Sequence, residues 1–197
     1  MSINRTMSAR RAIATVVASL GLGTALLGTT LAPTAGAAEA TASSVARSSM
    51  GIPGAVIIES AAFPGKILCS TPADDSLLLK TVNTRDRYCQ WLVTKGSDDE
   101  DNVYTLYNPA KDQVMAYTGG NEGAVVMADY DPSQRAQEWS WGGREDWGGR
   151  ALQSFMDKGQ NVDAKSRDGE GPTSEAIHTR GWRHGHQREL TWNTVTL

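Results

Sequence analysis

The chain has 197 residues, 40% of them apolar, which is enough for one domain with a sizeable core. It carries 19 lysines and arginines against 22 aspartates and glutamates, a formal net charge of −3. An acidic chain with no basic stripe interleaved with aromatics has nothing to recruit nucleic acid.

Arg5, Arg10 and Arg11 precede an apolar run from Ala12 to about Ala32, followed by Pro33 and Ala35-Gly36-Ala37. That order of basic, apolar and small residues predicts a secretory signal peptide over residues 1–37, cleaved at the Ala-x-Ala site, and hence a secreted protein. Gly21, Gly23 and Gly28 interrupt the run and no basic stop-transfer cluster follows it, so no membrane insertion is expected. Ala9 before Arg10-Arg11, with no strong apolar pair directly after, favours general secretion over a twin-arginine route. Cleavage removes three arginines and no acid, leaving 16 basic and 22 acidic residues, a net of −6 (16 − 22). Residues 38–50 are small and rich in Ser and Ala, and predict a flexible tail.

From residue 51 the pattern is one of short strands. In the first segment they are predicted at 55–60, 67–71, 77–82 and 88–93, separated by turns at Phe63-Pro64-Gly65 and Pro72-Ala73-Asp74-Asp75. The second segment repeats the order at 102–108, 113–117, 125–130 and 137–141, the third at 150–155, 161–164, 175–179 and 189–195. Apolar residues nowhere recur at a helical spacing over three turns. Cys69 and Cys89 are the only cysteines, and an exported chain makes them a disulfide by default. The alternative, a metal pair, lacks further ligands nearby.

Each segment ends on a tryptophan, Trp91, Trp139 and Trp192, at intervals of 48 (139 − 91) and 53 (192 − 139) residues. A repeat of that length is a unit that needs its copies to make a core. Twelve strands in three quartets predict an all-β fold closed into a barrel, which leaves no open edges. The pattern, with Gln137-x-Trp139 intact and Cys89-x-Trp91 and Leu190-x-Trp192 as degenerate copies, resembles the ricin B-type (R-type) lectin β-trefoil family. The resemblance covers residues 51–197, with repeats of about 51–98, 99–145 and 146–197. It implies a β-trefoil, with the three tryptophans lining a shared core, and a secreted carbohydrate-binding module whose partner is a carbohydrate or glycoprotein.

In that family a repeat holds sugar through an aspartate at the end of its second strand, a stacking aromatic and a polar group before the tryptophan. A carboxylate accepts two hydroxyl donors, and an aromatic face covers the C–H side of the ring. Aligning the second strands puts Cys69, Ala116 and Asp163 at the aspartate position, so at most one sugar site is expected, in the third repeat. Its candidate residues are Asp163, with Trp182 and His184 as aromatics and Gln187 or Glu189 as the polar group. Against this stands the plainer reading that Asp163 accepts backbone hydrogen bonds at a turn.

Other motifs carry less. The loop Trp141-Gly142-Gly143-Arg144-Glu145-Asp146-Trp147-Gly148-Gly149 is either a contact loop for a partner or a turn capped by aromatics. His178, His184 and His186 lie close in sequence but lack the further ligand and ordered surroundings of a zinc site. Asp98-Asp99-Glu100-Asp101 lacks the glycine and distal glutamate of a calcium loop. No metal or cofactor is expected. No Gly-x-Ser-x-Gly, His-Glu-x-x-His or phosphate-binding glycine loop is present, so no enzyme is expected. The competing class is a β-trefoil inhibitor of a secreted protease, which would act through an exposed loop at 97–101, 119–123 or 167–174.

Overall fold

The computed structural model of the chain describes residues 52–96 and 101–197. The expected signal peptide, the tail at 38–50 and nearly all of the acidic run at 98–101 lie outside the described residues. Within them, twelve strands follow in three groups of four. The first repeat holds β1 (Val56–Ser60), β2 (Lys66–Ser70), β3 (Leu77–Thr81) and β4 (Leu92–Lys95). The second holds β5 (Tyr104–Asn108), β6 (Gln113–Tyr117), β7 (Val125–Ala128) and β8 (Trp139–Gly142), and the third β9 (Arg150–Ser154), β10 (Gln160–Asp163), β11 (His178–Gly181) and β12 (Thr191–Thr196).

The first and last strands of each repeat build the barrel. Inside each repeat the closing tryptophan pairs with the start of its first strand, as Val56↔Trp91, Tyr104↔Trp139 and Arg150↔Trp192. Between repeats β4 pairs with β5, β8 with β9 and β12 with β1, all antiparallel, so the six strands form a ring. A closed ring leaves no edge for another chain to add to. The middle strands form three hairpins, β2–β3, β6–β7 and β10–β11. Those hairpins meet across the barrel end, where Val125 N donates to Ile177 O at 3.0 Å and Ile177 N to Leu77 O at 2.8 Å. This is a β-trefoil.

The core follows from the pattern. Trp91, Trp139 and Trp192 are at most 1% exposed and pack with Ile58, Leu68, Met115 and Leu152. Each indole also needs a hydrogen-bond acceptor once it leaves water. Trp91 Nε1 donates to Leu68 O at 2.9 Å, Trp139 Nε1 to Met115 O at 2.9 Å and Trp192 Nε1 to Val162 O at 3.1 Å. In every repeat the last strand is therefore fastened to the middle of the second. The second strands β2 and β6 are buried almost along their length, which is why they read as unbroken apolar runs rather than alternating ones.

Two expectations shift. The strands predicted to begin at residues 88, 137 and 189 are instead preceded by short 3-10 turns, Arg87–Cys89, Arg135–Gln137 and Arg188–Leu190. Cys89 N, Gln137 N and Leu190 N donate to the carbonyls of Asp86, Gln134 and Gln187, which coils the chain just before it enters the barrel. The strand predicted at 175–179 lies at 178–181, because Thr173 Oγ1 accepts from Glu175 N and holds that stretch as a turn. Cys69 and Cys89 are joined in a disulfide.

Candidate functional site

The three indole bonds set the repeats in register. Leu68, Met115 and Val162 are equivalent acceptors, so the residues one step further, Cys69, Ala116 and Asp163, occupy equivalent places at or near the strand ends. Each place is filled differently. Cys69 is bonded to Cys89, which itself stands two residues before its tryptophan, where Gln137 and Leu190 stand in the other repeats. Ala116 brings no polar group. Asp163 brings a carboxylate that is 2% exposed.

A buried carboxylate must be paired. Asp163 Oδ1 accepts from Lys165 N at 2.9 Å, as expected of an acid at a turn, while Oδ2 accepts from Arg180 Nε at 2.6 Å. Arg180 comes from β11, whose register sets Asp163 opposite His178 and Asn161 opposite Arg180. Arg180 Nη2 then donates to Glu189 Oε2 at 2.7 Å. Glu189 Oε1 lies 3.3 Å from His186 Nδ1 and 3.7 Å from Lys165 Nζ, and Lys165 Nζ is 3.0 Å from Glu170. The result is a chain of alternating charges with Arg180 held between two acids. The hydrogen bond to Glu170 raises the Lys165 pKa, and the same bond lowers that of Glu170. His178, 3% exposed and 3.7 Å from Asp163, has its pKa lowered by burial, against the opposing pull of the Asp163 charge.

Three aromatic rings cluster on the connections that follow β8 and β11. Trp182 is 51% exposed and stacks on Trp147, with ring centroids 6.4 Å apart and planes at 28°. The His184 ring meets Trp182 edge-on at 6.1 Å. Two small hollows flank the charges. One of about 100 Å³ is lined by Glu122, Asp163, Arg167, His178 and Arg180. The other, about 210 Å³, is lined by Phe63, Glu170, Gly185, His186, Arg188 and Glu189.

The structure thus brings Asp163 to Glu189 through Arg180, and Trp182 to His184, while His186 is the histidine that reaches Glu189. Arg180 and Lys165 were not singled out from the sequence, and Trp147 was read as part of a contact loop or a capped turn and not as a neighbour of Trp182. The signal for Arg180 was a cation in a strand that pairs with the one carrying the buried acid. Trp147 had none beyond its glycine-rich loop. Trp141, read as part of that loop, belongs to β8 and packs against the core.

The amides before the tryptophans are spent inside the protein. Gln137 Oε1 accepts from Asp131 N at 2.8 Å and its Nε2 donates to Asp129 O at 2.7 Å. Gln90 clamps Ile52 N and Thr84 O in the same way. Of the loops weighed for protease inhibition, 119–123 is folded back on itself, with Gly119, Gly120 and Glu122 at positive φ and Tyr117 Oη donating to Gly120 O. A substrate-like loop presents extended backbone instead. Residues 167–171 close a turn in which Ser166 N donates to Gly171 O, and residues 97–100 lie outside the described part. No group of three or more His, Cys, Asp or Glu among the described residues is arranged to hold a metal, and no helix among them is long and apolar enough to cross a membrane.

No family model and no curated protein matches the sequence. Solved structures do. ThreeFoil, a designed 3-fold symmetric protein, superposes with a TM-score of 0.59 at 16% identity over 73% of this chain and 99% of its own. A mosquitocidal holotoxin matches with a TM-score of 0.60 at 15% identity over 74% of this chain and 16% of the toxin. The Polyporus squamosus lectin, solved with the human-type influenza-binding epitope Neu5Acα2-6Galβ1-4GlcNAc, matches with a TM-score of 0.56 at 17% identity over 75% of this chain and 50% of the lectin chain. This chain therefore spans the whole of the designed trefoil but half or less of the two natural proteins. Likeness at these identities establishes the β-trefoil fold.

Proposed function

We propose that this chain is a secreted, non-catalytic carbohydrate-binding module whose trefoil-type sugar site lies on the third repeat. The observation that carries the reading is Asp163. Of three equivalent positions it alone has a carboxylate, and that carboxylate aims Arg180 at Glu189 beside an exposed indole. Glu189 supplies acceptor oxygens for sugar hydroxyls at the wall of the 210 Å³ hollow. The rim of that hollow at Gly185 directly follows His184, and the Trp182–His184 cluster offers the face on which the C–H side of a sugar ring stacks. Asp163 does not accept sugar hydroxyls itself, as the resemblance implied, because it is 2% exposed with both oxygens engaged by Lys165 N and Arg180; it acts through Arg180, whose guanidinium it holds in place. The likeness to the lectin supports the same class of partner, a glycan or glycoprotein.

The test is a glycan array probed with the wild-type mature chain and with the Asp163→Ala, Trp182→Ala and Glu189→Gln variants. Trp182 is exposed, so its loss leaves the fold intact, and glycan signal should fall about tenfold or more in that variant. Wild-type binding that persists undiminished in all three variants sinks the reading. Mass analysis of the exported protein should find Ala38 at its N-terminus.

A further inference from the structure

A second surface, with no lining residue in common with the two hollows, lies at the turn joining β8 to β9. Two adjoining depressions, of about 470 and 280 Å³, share Trp141, Gly149 and Arg150 in their walls. Together they reach the size of a ligand cleft. Trp141 packs against the core yet stays partly exposed, and its backbone is pinned on both sides, since Asn102 Nδ2 donates to Trp141 O at 2.7 Å and Asn102 Oδ1 accepts from Trp141 N at 3.3 Å. The next two residues are glycines. A Cβ on Gly142 would meet only the movable end of the Gln153 side chain, whereas Gly143 has φ +84 with the Trp147 ring 2.8 Å from where its Cβ would be, and only Gly143 requires glycine. The wall beside the indole is consequently bare backbone.

Two guanidinium groups stand over this floor. Arg144 pairs with Asp146 at 3.4 Å, both exposed. Arg150, exposed at the start of β9, has no carboxylate partner among the described residues. On an acidic chain, an exposed arginine lining the same depressions as a pinned indole suits a ring that carries an anion. Asn193 and Thr194 on β12 add polar groups at the far end for ring hydroxyls.

We propose that this groove is a second saccharide site, selective for acidic sugars, in which a ring stacks on Trp141 and its carboxylate or sulfate pairs with Arg150. It is built from β8, β9 and β12 at the open end of the barrel and uses none of Asp163, Trp182 or Glu189. Its standing is therefore independent of the third-repeat site.

The experiment is isothermal titration of the mature chain with three acidic probes: a galacturonate tetrasaccharide, a hyaluronan hexasaccharide and a chondroitin sulfate tetrasaccharide. The methyl-esterified galacturonate tetrasaccharide and a hexaglutamate peptide are the controls. At least one acidic probe should bind, with the methyl ester and the peptide each at least about tenfold weaker. The Arg150→Gln variant should lose about tenfold in affinity for that probe, and Arg85→Gln, an exposed arginine of the first repeat, should leave it unchanged. Arg150 is exposed, so its replacement spares the fold. Absence of binding by all three probes, equal binding of the methyl ester, equal binding of hexaglutamate, or indifference to Arg150→Gln each overturns the proposal. An equal loss in Arg85→Gln would make the effect one of net charge and overturn the proposal as well.

Discussion

Each of the three closing tryptophans does two things at once: it fills the barrel, and it donates an indole N–H to a carbonyl of the second strand. The two contributions separate experimentally. Trp139→Phe keeps most of the apolar volume and leaves Met115 O without its donor, which should cost about 1 to 3 kcal/mol in urea denaturation, whereas Trp139→Ala should cost about 3 to 5 kcal/mol through the cavity as well. Equal losses in the two variants would mean that the bond contributes nothing. His178 makes a second prediction at this scale. Its folded pKa lies below the ordinary 6.5 because the ring is buried beside the Arg180–Asp163 pair. The unfolded chain therefore takes up a proton first as pH falls, and stability is full above about 6.5 and declines below it toward the folded pKa. Measured between pH 7.5 and 5, His178→Gln should show a flatter stability profile than the wild type. A parallel slope would remove His178 as the cause.

At the scale of elements, the disulfide ties the end of β2 to the 3-10 turn before Trp91, closing a separation of 20 residues. Replacing it by one residue from each of the other repeats, Cys69→Ala after Ala116 and Cys89→Leu after Leu190, should cost about 2 to 4 kcal/mol, with the midpoint read from urea unfolding. Double substitution by serine should cost more, because both sites are fully buried and a hydroxyl there lacks a partner. The strands themselves were legible in the sequence wherever turns bounded them, as at Phe63-Pro64-Gly65. Their starts before the tryptophans were not, since a single 3-10 turn at Arg135–Gln137 leaves no periodic trace. The site was half legible. Asp163 emerged from the alignment of second strands, but Arg180 did not, because the pairing of β10 with β11 is fixed by a long turn-rich connection whose register no local pattern encodes. Trp147 against Trp182 joins two loops from separate connections, which only the closed barrel brings together.

At the scale of the molecule, every barrel strand pairs with a strand from another part of the chain, and β12 closes on β1. No repeat has a complete set of neighbours alone, so unfolding should be a single cooperative transition. Far-UV circular dichroism and tryptophan fluorescence should give coincident urea curves. A separate early transition in either signal would show that one repeat melts independently. With so many long-range pairings, refolding should take milliseconds to seconds rather than microseconds.

The indole bonds fix one residue of each second strand, and the neighbour one step on is where the three repeats have diverged. Cystine, alanine and an ion-paired aspartate sit there in turn. A fixed position beside a variable one lets a tandem protein change a side chain in one copy while the indole bonds of all three keep the architecture standing. Inheritance can then test a new side chain at residue 69, 116 or 163 without first having to rediscover the fold.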